Sequence, residues 1–297
     1  MAVVSETTRP AVARPAGVRR AHPGHRARTL GLWLAVALIV VWSVFPFLWQ
    51  TNASLQPDRN LVRATPKWLP VPGTMEHYRN IFTVKHFQDY IVNSAIVAIS
   101  STLVALVLAA LCAYALARLP VPGKTVVLGI VLGISMFPQI AIVTPLYLVL
   151  RKLFLLDTYP GLAGVYVGLA IPLMVWVMWG HFRAIPKEID EAAKIDGAGP
   201  VRALRSVIIP MALPGVVTAG LLGFIASWNE FMLALSFTTT PAHQTIPVGI
   251  ANFTALYYVP WGDVAAASVV VTIPLVVIVL IFQRRIVAGL TAGAVKE

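Results

Sequence analysis

Ile185–Gly215 reads IPKEIDEAAKIDGAGPVRALRSVIIPMALPG, a charged island between long apolar runs. Its periodicity predicts a helix, a sharp break and a second helix. In the first helix Ile189, Ala192 and Ala193 share one face, and Lys187, Glu188, Glu191 and Lys194 take the other. Asp190 precedes Lys194 by four residues, the favourable order for a helical ion pair. Gly197 and Gly199 break the helix, and Pro200 suits the first position of the next. There Val201, Leu204 and Ile208 align, with Arg202 and Arg205 facing elsewhere; Pro210 and Pro214 mark the return to the membrane. Such a pair is either a rigid docking knob or a pair of helices lying on headgroups, and amphipathicity does not separate the two.

Outward from this island the chain is dominated by apolar runs. Of 297 residues, 58% are hydrophobic and 12% charged, and the mean hydropathy is +0.79. That leaves too little polar surface for a soluble fold. Six runs are long enough to cross a bilayer: Leu30–Leu48, Ile91–Ala117, Thr125–Leu150, Gly161–Trp179, Pro214–Phe237 and Val264–Phe282. Every charge lies outside them except Glu230. No barrel-type alternation is present, so the expected fold is an all-α membrane protein with six transmembrane helices. A disulfide scaffold is excluded, because Cys112 is the only cysteine.

The net charge of +11 would suggest nucleic acid in a soluble chain. Here the basic residues flank apolar runs, so membrane lipid is the expected partner and nucleic acid is not. With the N-terminus inside, the inner segments carry sixteen Lys and Arg and the outer segments seven. This bias predicts a multi-pass protein of the cell membrane with both termini cytoplasmic. Residues 1–29 read as a disordered basic tail held near anionic headgroups. The first apolar run is longer than a usual signal-peptide core, and no clear small-residue cleavage site follows Trp49, so it is read as a retained helix.

The outer loop Trp49–Tyr90 is expected to fold onto the outer ends of the bundle. The outer loop Thr238–Asp263 has no Lys or Arg, and its Tyr257, Tyr258 and Trp261 suit an interface belt or a partner surface. Pro138, Pro145, Pro172 and Pro274 fall inside spans and predict kinks. Gly129/Gly133 and Gly164/Gly168 are candidate close helix contacts.

Glu191-Ala192-Ala193-x-x-Asp196-Gly197-Ala198, followed by Ile209-Pro210 and Pro214-Gly215, closely resembles the EAA loop of the membrane subunits of binding-protein-dependent ABC importers. Leu204 departs mildly, since many members carry Phe there. Trp68-Leu69-Pro70, His77-Tyr78-Arg79-Asn80, Leu156–Leu162, Trp228-Asn229-Glu230-Phe231 and the ending Phe282–Lys296 resemble the carbohydrate branch, in particular the maltose-type second permease subunit. The ending and Ile250–Thr254 are similar to trehalose-type permeases. The resemblance runs from about residue 30 to the C-terminus, which makes 30–297 a transmembrane permease domain.

The resemblance implies the type I importer bundle, a core of five helices with an outlying first helix. The chain would form half of a path for a sugar such as trehalose or maltose. A second permease subunit, two ATP-binding subunits and an extracytoplasmic sugar-binding protein would complete the assembly. The chain itself would be no enzyme and need no cofactor. Glu191, Ala192, Ala193, Asp196, Gly197 and Ala198 would form the element that couples to the ATPase. Trp228, Asn229 and Glu230 are candidates for the translocation path. Trp228 either stacks on a sugar or packs, and Glu230 either has a structural or gating role or touches solute.

Pro122-Gly123-Lys124-Thr125 looks like the end of a phosphate-binding loop. Its first glycine would fall at 118, which is Arg118, so ATP binding is not expected. The six His have no metal-site spacing. An ion-coupled secondary transporter is the alternative class, but one lone intramembrane glutamate and no clear repeat speak against it.

Overall fold

Helices follow the apolar runs, and proline marks where one of them breaks. The structure is a computed structural model. It describes residues 23–63, 65, 67–254 and 258–291, with side chains between Arg28 and Arg284. Most of the 1–29 tail, Tyr257 and Lys296 lie outside the described residues. The described chain divides after Leu48 into two compact units. The first holds the Pro23–Leu48 part of α1 (Pro23–Ser54), and Arg28–Ser54 is long and apolar enough to cross a bilayer.

The second unit starts with the end of α1. It continues through α2 (Asp58–Leu61), α3 (Glu76–Thr83), α4 (Phe87–Arg118), α5 (Lys124–Ser135), α6 (Gln139–Lys152) and α7 (Tyr159–Ala184). The remainder is α8 (Lys187–Ile195), α9 (Pro200–Ala203), α10 (Ile209–Met211), α11 (Leu213–Trp228), α12 (Met232–Phe237), α13 (Ile246–Ala251) and α14 (Trp261–Thr291). Among the described residues there is no β-sheet. Among the described residues four helices qualify as single spans, within α1, α4, α7 and α14, and the count reaches up to six if each of two bent pairs is one span.

The bent pairs correct the expectation of six simple spans. Thr125–Leu150 is two helices, α5 and α6, at 92°. Before the break, Met136 and Phe137 donate to Gly133 and Ile134, tightening the last turn. Pro138 then has no N–H to give, and its ring disfavours a helical Phe137. Pro145, Pro172 and Pro274 sit inside continuous helices. Pro214–Phe237 is also divided. The chain turns 88° just before that run, where Pro200–Met211 meets α11, and within it α11 ends at Trp228, with three residues between it and α12.

α4 and α7 pack along their lengths, α11 rests on both, and α14 packs on α11 and α3. Ala98, Ala105, Ala109 and Ala113 make a buried small-residue stripe on α4. Against the inner part of that stripe α7 supplies Met174, Met178 and Phe182 in one core. Lipid tails are as apolar as these side chains, so close packing rather than water exclusion holds the helices together. Helices approach closely at Gly215, where an added Cβ would strike the His181 ring, and at Gly223, where it would strike the Met174 methyl. The expected contacts at Gly129/Gly133 and Gly164/Gly168 are not formed, since a Cβ at any of the four meets nothing within 4 Å. A small-xxx-small spacing allows close approach, but the neighbour must also lie on that face.

The first outer loop folds down as expected. Asn52 and Gln56 side-chain amides donate to the Lys67 carbonyl at 3.2 and 2.9 Å. His77 lies 2.9 Å from both Asp263 and the Gln56 carbonyl, and Asn80 donates to Asp263 at 2.6 Å. These bonds tie α3 to the start of α14.

Candidate functional site

The helix pair between α7 and α11 forms as the sequence predicts. α8 ends at a left-handed residue, Gly197, with φ 75°. Gly197 N–H donates to the Lys194 carbonyl at 3.0 Å and Ala198 N–H to the Ala193 carbonyl at 2.9 Å, the paired bonds of a Schellman cap. A Cβ at Gly197 would meet nothing within 4 Å, so the backbone conformation, not space, demands glycine. Pro200 opens α9. Leu204–Ile208 form one π-helical turn, α10 follows, and the chain turns at Ala212 into α11.

The six coupling candidates do not share one surface. Glu191, Ala192, Asp196 and Gly197 are exposed, Ala198 is half-buried, and Ala193 is buried against the bundle. Ala192 therefore does not join Ile189 and Ala193 on the inward face. In the second helix the inward stripe is Leu204, Ile208 and Ala212, a four-residue spacing that the π-helical turn sustains, and Val201 is 70% exposed rather than aligned with it.

Asp190 does not pair with Lys194. Its Oδ2 lies 3.3 Å from Nη1 of Arg118, and Nη2 of Arg118 donates to the Ile185 carbonyl at 2.6 Å. The Arg118 side chain is 3% exposed. The last residue of α4 thus clamps the start of the loop between α7 and α11 to the bundle. Its place in the last turn of a helix, where a cation complements the dipole, is the one local signal it leaves in the sequence.

Near the other end of α11, the break at 229–231 is built around Glu230. Its Oε1 accepts from Leu233 N–H at 2.9 Å, and its Oε2 accepts from Ala234 N–H at 3.0 Å and from the Tyr166 hydroxyl at 2.7 Å. The carboxylate caps α12 and ties it to α7. Trp228 is buried and stacked on Phe224 at 5.4 Å. Asn229 is exposed, and its side-chain amide donates to the Ile225 carbonyl at 2.8 Å. Of the three path candidates, Glu230 alone lines a cavity of about 290 Å³. Ser135, Phe137 and Gln139 from the α5–α6 break and Ser227 and Glu230 from the α11–α12 break converge on it, with Tyr166 between them. Gln139 and Tyr166 carry polar groups into this cavity; proline marked the first break, but no local signal pointed to their meeting.

The loops before α7 and after α12 are latched separately. Asp157, at φ 55°, accepts from Thr239 N–H, Thr240 N–H and Thr240 Oγ1 at 2.9, 3.2 and 2.6 Å. Burial alone would raise its pKa, but the Thr240 and Thr239 hydrogen bonds and the nearby His243 outweigh that and hold the carboxyl below its ordinary value.

Residues 105–291 match the profile of a family described as binding-protein-dependent transport system inner membrane component. The trehalose transport system permease protein SugB of Mycobacterium tuberculosis is 46% identical over 273 residues, covering 91% of this chain and 99% of the relative. The trehalose/maltose transport system permease protein MalG of Thermococcus litoralis is 41% identical over 273 residues, covering 89% and 96%. A crystal structure of a bacterial ABC transporter that imports the acidic polysaccharide alginate contains a chain of the same fold. It has a TM-score of 0.75 and 21% identity, and the match covers 89% of this chain and 98% of that one.

Proposed function

The chain belongs to the family of inner-membrane components of binding-protein-dependent transport systems, and on that premise we propose that it is the permease subunit of an ATP-driven sugar importer. Its substrate class is a disaccharide or short oligosaccharide, as the trehalose and maltose systems of its relatives suggest. It supplies one half of the path and a second permease supplies the other. An extracytoplasmic sugar-binding protein delivers the solute. Two ATP-binding subunits hydrolyse ATP, both termini are cytoplasmic, and 30–297 is the permease domain. The ion-coupled alternative falls with the family assignment.

The observation that carries the coupling role is the rigid knob of α8, its Schellman cap and α9. Glu191, Ala192, Asp196 and Gly197 are presented outward, while Arg118 anchors the base. Ala193 and Ala198 shape the knob from within, through the bond between them. Movement of a docked ATPase passes through this clamp to α4 and through the turn at Ala212 to α11 as rigid-body rotation. For the path, the supporting feature is the convergence of two helix breaks on one mostly apolar cavity that holds the polar groups of Ser135, Gln139, Ser227 and Glu230, because irregular backbone at membrane depth is tolerated where it faces protein or water. Glu230 holds that junction together, Trp228 is packing, and Asn229 is the exposed amide beside it.

Affinity purification of the tagged chain from native membranes, with mass spectrometry of what comes with it, tests the reading. Recovery of a second permease and an ATPase is the expected result. Recovery of the chain alone, under detergent conditions that preserve a known importer, would overturn it.

A further inference from the structure

Gly123-Lys124-Thr125 sits at an unusual place. α5 begins at Lys124 on a left-handed Gly123, which offers no side chain, and its first turn has no side-chain cap and no acidic residue. A helix N-terminus carries partial positive charge and favours an anion. Here the sequence adds cations instead. Lys124, Arg183, Lys187 and Arg118 line one cavity of about 470 Å³ beside Trp179, with no carboxylate among the lining residues. Arg183 lies over the Trp179 ring at 5.3 Å, which holds its charge at the rim. Asp190 neutralises Arg118, leaving three unpaired cations. Independently, Nε of Arg118, on a side chain 97% buried, has no hydrogen-bond partner. A buried N–H left unpaired is costly unless something accepts from it.

We propose that this cavity binds the phosphate of an anionic phospholipid headgroup. It lies at the ends of α4 and α7 and the start of α5, where three candidate spans end or begin, so the headgroup layer meets it directly. The phosphate supplies acceptors to the α5 N-terminus and counter-charge to the three cations. Because Arg118 also clamps the coupling loop, the lipid sits against the base of the element that meets the ATPase. The site itself stands on geometry that does not depend on which sugar is carried.

The test is native mass spectrometry of the intact complex, exchanged into detergent containing equal amounts of phosphatidylglycerol and phosphatidylcholine. Wild type should retain phosphatidylglycerol selectively. Lys124→Gln with Lys187→Gln should weaken retention by about fivefold for each cation removed, whereas Lys124→Arg with Lys187→Arg should keep it. An unchanged unfolding temperature in the glutamine pair, or retention in the arginine pair if the glutamine pair is unstable, separates binding from folding. Equal retention by wild type and a stable glutamine pair would overturn the proposal. Displacement by excess inorganic phosphate would overturn the lipid source and assign a soluble phosphate. Loss of the ATPase with lipid retention unchanged would overturn it in favour of an acidic protein partner.

Discussion

Replacing Arg118 by methionine tests the clamp. The arginine side chain is 3% exposed and Asp190 is 13% exposed, so the pair is largely dry. Oδ1 of Asp190 has no hydrogen-bond partner even with the clamp in place. Arg118→Met removes the cation facing Oδ2 and strands a mostly buried carboxylate. Breaking a buried pair from one side costs about 3–5 kcal/mol, and the remaining solvent contact of Asp190 puts this case near 3 kcal/mol. For a domain of this size the unfolding temperature should fall by roughly 6–12 °C. Adding Asp190→Leu should recover most of the loss, because an apolar pair of similar volume is close to neutral in place of a buried ion pair. A residue of about 1 kcal/mol should persist for the Ile185 carbonyl left without its donor. The assay is thermal unfolding of the purified complex for wild type, both single variants and the double variant, alongside sugar uptake and ATP hydrolysis in proteoliposomes. Arg118→Met should retain basal hydrolysis and lose uptake. An unfolding temperature equal to wild type, or no rescue in the double variant, would refute the reasoning.

Gly197→Val should abolish uptake while membrane insertion persists, because a β-branched residue at φ 75° strains the cap by about 1–2 kcal/mol or more; Gly197→Asn, which visits that region more readily, should keep partial uptake, and normal uptake by the valine variant would sink the coupling role. Glu230→Gln keeps one acceptor for the α12 cap but loses the charge-assisted bond from Tyr166, so it should cost about 1.5–3 kcal/mol, read as a lower unfolding temperature and slower uptake; unchanged transport excludes a charge-dependent role. The depressed pKa of Asp157 means its latch stabilises the folded state fully above the ordinary carboxylate value of 3.8 and loses that contribution as pH falls through the lower folded value. Proteolysis of the Thr238–Asp263 loop should therefore rise on acidification from about pH 4 downward, and Asp157→Asn should make it fast at every pH.

The parts of the fold written in neighbouring residues were legible in the sequence. Helix, break and helix at Lys187–Ala203 follow from a glycine that must be left-handed and a proline that must be first in its helix. What depended on distant partners was not. Asp190 looked bound for Lys194, one turn away, and found Arg118, 72 positions earlier, because burial beside α4 rewards an arginine fork more than an exposed lysine. The four prolines expected to kink their spans read alike, yet only Pro138 separates two helices; the outcome depends on whether neighbours re-satisfy the freed backbone groups. Glu230 was conspicuous as a lone acid, but nothing local indicated that its oxygens would cap α12 or accept from Tyr166.

The two broken spans also bear on the lifetime of the chain before assembly. The breaks at 136–138 and 229–231 each interrupt the ladder of helical hydrogen bonds, and both border the same mostly apolar hollow. Tail-group hydrocarbon offers those ends nothing to bond with. If the proposed second permease covers that hollow, a newly made copy without it exposes the hollow to lipid. Surveillance proteases that sample frayed helices in the bilayer would then remove unpaired copies, and the amount of mature complex would follow the scarcer of the two halves.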